Sequence, residues 1–170
     1  MLSERILKKK IFPSILLLTI FINTNLFAGG DKDYLSFSGA LFDVLQSNVT
    51  SLEGRIEYRV NSADWYLKPL IGVMSNTDGA RYIYSGIYFE ISVTEYFSLI
   101  PSLTPGVYIK NYSKDLHFVL EFKSQIDAIF NIADTFRAGF SFNHISNASL
   151  GDENPGVESI AITFQLPVGS

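Results

Sequence analysis

The chain has no cysteine in its 170 residues, which excludes disulfides, thiolate nucleophiles and cysteine-ligated zinc. Charge is sparse too: 18% of residues are Asp, Glu, Lys or Arg, whereas 47% are hydrophobic and 14% aromatic. Familiar catalytic signatures are missing, with no Gly-x-Ser-x-Gly elbow, no phosphate-binding Gly-Lys-Ser/Thr loop and no His-Glu-x-x-His zinc motif. Amphipathic helices are missing as well, because no stretch after Asp33 repeats its apolar residues with helical period. The longest apolar run, Ile11 to Ile22, contains Pro13 and stops at Asn23-Thr24-Asn25, short of the roughly 20 residues a spanning helix needs.

That run is read instead as the core of a signal peptide. Arg5, Lys8, Lys9 and Lys10 precede it, and Ala28-Gly29-Gly30 follow it as small residues at a cleavage site. The expectation is a signal peptide over residues 1–28 and a single β-barrel domain over 29–170, with a retained anchor as the competing reading. Cleavage would remove four basic residues and Glu4, taking the formal charge from −4 to −7. So acidic an exported protein is not expected to bind nucleic acid.

What the exported part does contain is alternation. Eight segments switch polarity residue by residue, as half-buried strands do: Tyr34–Val44, Leu52–Val60, Trp65–Met74, Arg81–Ser92, Phe97–Ile109, Leu116–Phe130, Thr135–Ser146 and Val157–Val168. The second carries Glu53, Arg55, Glu57 and Arg59 on one face, a row that suits either a solvated surface or the polar lumen of a closed barrel. Pro69 weakens the third segment, Pro101 and Pro105 interrupt the fifth, and the sixth is expected to kink between Ser124 and Asp127. An even count of strands about ten residues long, each with one apolar face, predicts an all-β fold: an eight-stranded antiparallel transmembrane β-barrel of the outer membrane. A soluble periplasmic barrel or sandwich is the alternative.

The seventh segment breaks its own pattern. Phe136, Ala138, Phe140 and Phe142 form an apolar stripe, and the same face ends in His144 and Ser146. Glu158 opens the eighth segment in phase with Ile160 and Ile162. If the two strands pair, these residues bring together a hydroxyl, an imidazole and a carboxylate, the set needed for nucleophilic acyl transfer. Asn147 and Asn154, with the Ala148 and Ser149 amides, would be oxyanion donors. The plainer reading is that His144 and Ser146 only mark where the strand leaves the membrane.

His144-Ile-Ser-Asn-Ala-Ser-Leu150, Asn154-Pro-Gly-Val-Glu-Ser159 and the closing Phe164-Gln-Leu-Pro-Val168 resemble the C-terminal signature of the lipid A 3-O-deacylase family. The resemblance is dense over residues 136–168 and diffuse before them. It implies an outer-membrane esterase that needs neither cofactor nor metal and removes the ester-linked 3-hydroxyacyl chain of lipid A (lipopolysaccharide) in the outer leaflet. By resemblance Ser146 is the nucleophile, His144 the base and Glu158 the third member. Asn147 and Asn154 fall in the oxyanion region, and the site faces lipid. A non-catalytic barrel, adhesin or structural, is the competing function, and self-association into a homo-oligomer is left open.

Overall fold

The computed structural model describes residues 32–46, 51–62 and 65–169; the expected signal peptide, residues 1–28, lies outside them. Nine strand segments follow one another: β1 (Asp33–Phe42), β2 (Ser51–Arg59), β3 (Lys68–Asn76), β4 (Arg81–Tyr88), β5 (Ile91–Thr94), β6 (Phe97–Ile109), β7 (Leu120–Ala133), β8 (Phe136–Ser146) and β9 (Val157–Val168). Sequence neighbours other than β4 and β5 pair antiparallel, β1 pairs with β9, and β4 pairs with β6, so the sheet closes on itself.

The ninth segment is not a ninth strand. Tyr88 faces Ser102 and Ile91 faces Leu99, so the register against β6 is the same before and after the gap at Phe89-Glu90. The gap lies opposite Pro101, whose carbonyl accepts from the Phe89 amide at 3.2 Å. Pro101 thus turns toward this strand the side on which it has no N–H to return, and the ladder lapses. Pairing also lapses between Tyr84 and Ile87, the stretch that faces Pro105. With β4 and β5 counted as one broken strand, the barrel is eight-stranded and antiparallel, as alternation predicts.

The polar row of β2 settles which face is which. Glu53, Arg55, Glu57 and Arg59 are all buried, while Leu52, Ile56 and Tyr58 between them are exposed. The lumen is therefore packed with ion pairs. Lys123 Nζ lies 2.6 Å from Glu57 Oε1, Arg59 lies 2.5 Å from Glu57 Oε2 and 2.7 Å from Asp127, and Arg55 lies 2.7 Å from Glu53. Tyr84 donates to Glu57 Oε1 at 2.8 Å, stacks on Tyr82, and lies beneath the Lys123 ammonium. Gly72 makes room for it, since a Cβ there would come within 2.6 Å of the Tyr84 ring.

Outside, the pattern inverts. Phe37, Ile56, Val73, Ile83, Leu103, Ile126, Phe140 and Ile162 all lie exposed on the outer wall. An aqueous surface would not tolerate so continuous an apolar belt, whereas a bilayer requires one.

Two expectations need correction. No kink interrupts β7 between Ser124 and Asp127, because pairing with β6 and β8 runs unbroken through those residues. Lys123, Gln125 and Asp127 look like a break in an apolar strand but point into the lumen, where Gln125 bridges Arg55 and Asp127. The irregularity of β7 falls later, between Asn131 and Ala133. Residues 116–119, expected to begin this strand, belong to the preceding loop, with His117 in the left-handed region.

Candidate active site

β8 ends and β9 begins at the end of the barrel opposite the two described chain ends, joined by residues 147–156. Along β8 the lumen face is Arg137, Gly139, Ser141, Asn143 and Ile145, all buried, while Phe140 and Phe142 are exposed and His144 and Ser146 half-buried. His144 and Ser146 thus continue the outer, apolar face.

His144 sits directly across from Glu158 in the β8–β9 register. A directly opposed pair brings two Cβ atoms about 5 Å apart, close enough for a carboxylate to reach a ring nitrogen. His144 Nδ1 lies 2.9 Å from Glu158 Oε1, with the imidazole 41% exposed and the carboxylate 11% exposed. Carboxylate contact at Nδ1 favours the tautomer with its proton there and leaves Nε2 as the basic nitrogen. Gly156 fixes the ring from another side. Its φ of 63° is left-handed, and a Cβ on it would lie 2.6 Å from His144 Cε1, so only glycine lets the loop lie this close to the imidazole.

Ser146, the last residue of β8, lies two positions beyond His144 on the same face. Immediately after it the chain turns sharply. Ala148 and Ser149 have φ values of 52° and 64°, and the Leu150 amide donates to the Asn147 carbonyl at 3.0 Å. Two successive left-handed non-glycine residues cost about 1–2 kcal/mol each, so something must hold them. Asn147 does so from a fully buried position. Its Nδ2 donates to the Leu116 carbonyl at 2.9 Å and the Glu153 carbonyl at 2.7 Å, and its Oδ1 accepts from the Ser149 amide at 2.9 Å. Its backbone amide donates to Asn154 Oδ1 at 3.1 Å. The Asn147 carboxamide is thus committed to the loop. Within residues 147–150 the Ala148 amide is the one backbone donor that takes no part in these bonds, and Asn154 is held through its Oδ1.

Sequence reading missed the support from other loops. Gln46, in the β1–β2 loop, donates to Glu158 Oε2 at 3.3 Å, and Lys114, in the β6–β7 loop, donates to Gln46 Oε1 at 3.1 Å and to Asp43 at 2.8 Å. The Val44 amide ties the same loop to the Glu158 carbonyl at 3.1 Å. Next to Lys114, hydrogen bonds from Lys110 and the His117 amide hold the Asp115 carboxyl below its ordinary range. No sequence signal marks Gln46, since it lies 112 residues from Glu158 and loop glutamines are common.

Comparison with known proteins bears on the family and the fold. Residues 23–167 match the family model for lipid A 3-O-deacylase (PagL). The crystal structure of the outer-membrane enzyme PagL superposes with a TM-score of 0.63 at 15% identity, covering 79% of this chain and 99% of that one. A designed transmembrane β-barrel gives 0.59 at 9% identity, covering 81% and 96%, and Neisserial surface protein A gives 0.56 at 6%, covering 80% and 96%. At these identities the structural likenesses speak for the barrel alone. No curated protein sequence matches the chain.

Proposed function

The chain belongs to the lipid A 3-O-deacylase (PagL) family, and from that premise we propose that it is a serine esterase whose Ser146, His144 and Glu158 cleave the ester-linked 3-hydroxyacyl chain of lipid A. The observation that carries this reading is the His144–Glu158 contact of 2.9 Å on the lipid-facing wall, two residues from Ser146, whose hydroxyl has no hydrogen-bond partner among the described residues. A lumen-facing pair would be an ordinary part of the ion network; this one lies on the outer face, with the imidazole 41% exposed. Three connections at its end of the barrel, 43–50, 110–119 and 147–156, run to eight or ten residues beside a four-residue one at 77–80, while the opposite end has turns of two residues at 95–96 and 134–135 and one connection of eight, 60–67. Outer-membrane barrels put their longer loops outside the cell, which supports a site at the outer leaflet. Residues 1–28 are then a signal peptide removed on the way there.

In this mechanism Ser146 Oγ attacks the ester carbonyl as its proton passes to His144 Nε2, and the Glu158 carboxylate stabilises the resulting imidazolium. The Ala148 amide and Asn154 Nδ2 donate to the oxyanion, while Asn147 contributes by fixing the turn. Collapse returns the proton to the departing sugar oxygen and leaves an acyl-enzyme. Water, deprotonated at Nε2, then releases the 3-hydroxy acid and restores Ser146. Among the described residues no hydrogen bond joins Ser146 Oγ to His144, and in this mechanism that bond forms as substrate binds.

The reading is tested by expressing the protein in a bacterium whose lipid A carries an ester-linked 3-hydroxyacyl chain. Mass spectrometry should show lipid A lighter by one such chain; unchanged lipid A with the barrel inserted would leave the non-catalytic barrel as the better account. Gly156→Ala tests the positioning of the base. The added methyl must displace the imidazole from Glu158, and a displacement of about 1 Å can cost on the order of 10²-fold in rate. A rate within twofold of wild type would show that the Gly156 contact does not matter.

A further inference from the structure

If Glu158 orients His144, it must itself be oriented. Its two carboxylate oxygens have separate partners: Oε1 faces His144 Nδ1 and Oε2 accepts from Gln46 Nε2. We infer that Gln46 is a positioning residue for the proposed reaction, fixing the Glu158 carboxylate from the side opposite His144, and that Lys114 holds Gln46 in the orientation this needs. The inference rests on the esterase reading above and extends it to loops outside the family-like motif.

Amide orientation is the centre of the case. A glutamine carboxamide can point either its oxygen or its nitrogen at a neighbour, and only nitrogen is useful beside a carboxylate. Here the Lys114 ammonium, 3.1 Å from Gln46 Oε1, claims the oxygen and leaves Nε2 for Glu158. Lys114 is held in turn by Asp43 at 2.8 Å, and Asp43, with a φ of 61°, sits where the chain turns out of β1. The charged and titratable groups around Glu158 are thus His144 from β8, Lys114 from the β6–β7 loop and Asp43 from the β1–β2 loop. Two loops and a strand end converge around one carboxylate. The arrangement also explains why Gln46 is not an acid: a second carboxylate there would repel Glu158 and draw Lys114 to itself.

A hydrogen bond to a charged group contributes enough that losing it costs roughly tenfold in an equilibrium or rate. Gln46→Met keeps the volume and removes the donor; it should lower kcat about tenfold with KM unchanged, because Gln46 supports the carboxylate and not the lipid. Gln46→Glu should lower kcat further. The decisive measurement places Gln46→Met in a Glu158→Ala background. If Gln46 acts through Glu158, the second change costs nothing more. An additive loss in that background, or a wild-type kcat for Gln46→Met alone, overturns the inference while leaving the esterase reading intact. Wild-type activity in Glu158→Ala itself would instead remove the triad on which both depend. Gln46 lies in an exposed loop, and heat-dependent gel mobility of the folded barrel confirms that each variant is assembled.

Discussion

Replacing Ser146 by alanine is expected to leave a folded, inserted barrel that releases 3-hydroxy acid from lipopolysaccharide at least about 10³-fold more slowly than wild type. The structural part follows from location. Ser146 is a half-buried strand-end residue on the outer wall, and no described group depends on its hydroxyl, so losing one oxygen leaves no buried partner unpaired. The chemical part follows from the mechanism, because without Oγ there is no acyl-enzyme and the remaining groups can only polarise the ester toward water. His144→Ala should cost as much, since members of such a set fail as a unit, and Glu158→Ala should cost less. The readout is fatty-acid release in detergent beside the lipid A mass spectrum of cells carrying each variant. Near-wild-type release by Ser146→Ala would sink the serine mechanism whatever else the family does.

How much of this was readable beforehand depended on period-two logic. Phe97–Ile109 and Val157–Val168 form strands with the bounds alternation predicts. The same parity put Glu53 to Arg59 together on one face and His144, Ser146 and Glu158 on the apolar stripe, because counting settles which side chains share a face; which face is the lumen came only with closure of the barrel. Counting failed where a second rule intervened. Lys123, Gln125 and Asp127 looked like a break because polar residues in an apolar run usually are one, yet in a closed lumen they are the core. The gap before β5 came from proline in a neighbouring strand, an effect that exists only once the register is known. The site divided in the same way. His144 and Glu158 could be matched across one hairpin, but Gln46 and Lys114 meet Glu158 through closure of the barrel, which no local pattern records. Asn147 was expected near the oxyanion on resemblance; its burial and its bonds to two other backbone carbonyls show what else it holds in place.

The second large effect belongs to the lumen. Glu57 accepts from Lys123, Arg59 and Tyr84, so Glu57→Leu strands a buried ammonium and weakens the hold on a buried guanidinium. Breaking a buried pair from one side costs about 3–5 kcal/mol, although replacing both partners with apolar groups can be nearly neutral. The expected result is therefore a pattern. Glu57→Leu alone should lower unfolding stability in urea by about 3–5 kcal/mol, and Lys123→Met alone should also destabilise by leaving Glu57 with one cation fewer. The double variant should recover most of the loss, because Arg59 retains Asp127 at 2.7 Å and Arg55 retains Glu53 at 2.7 Å, so the lumen stays balanced. Recovery should stop short of wild type by about 1 kcal/mol, the net worth of the Tyr84 hydrogen bond. If the two single losses simply add, the residues are not coupled, and the ion network is lining rather than the frame that holds β2 against β7. Because the outer wall carries the proposed active site, the double variant should also keep its esterase rate, which separates the frame of the barrel from the chemistry on its surface.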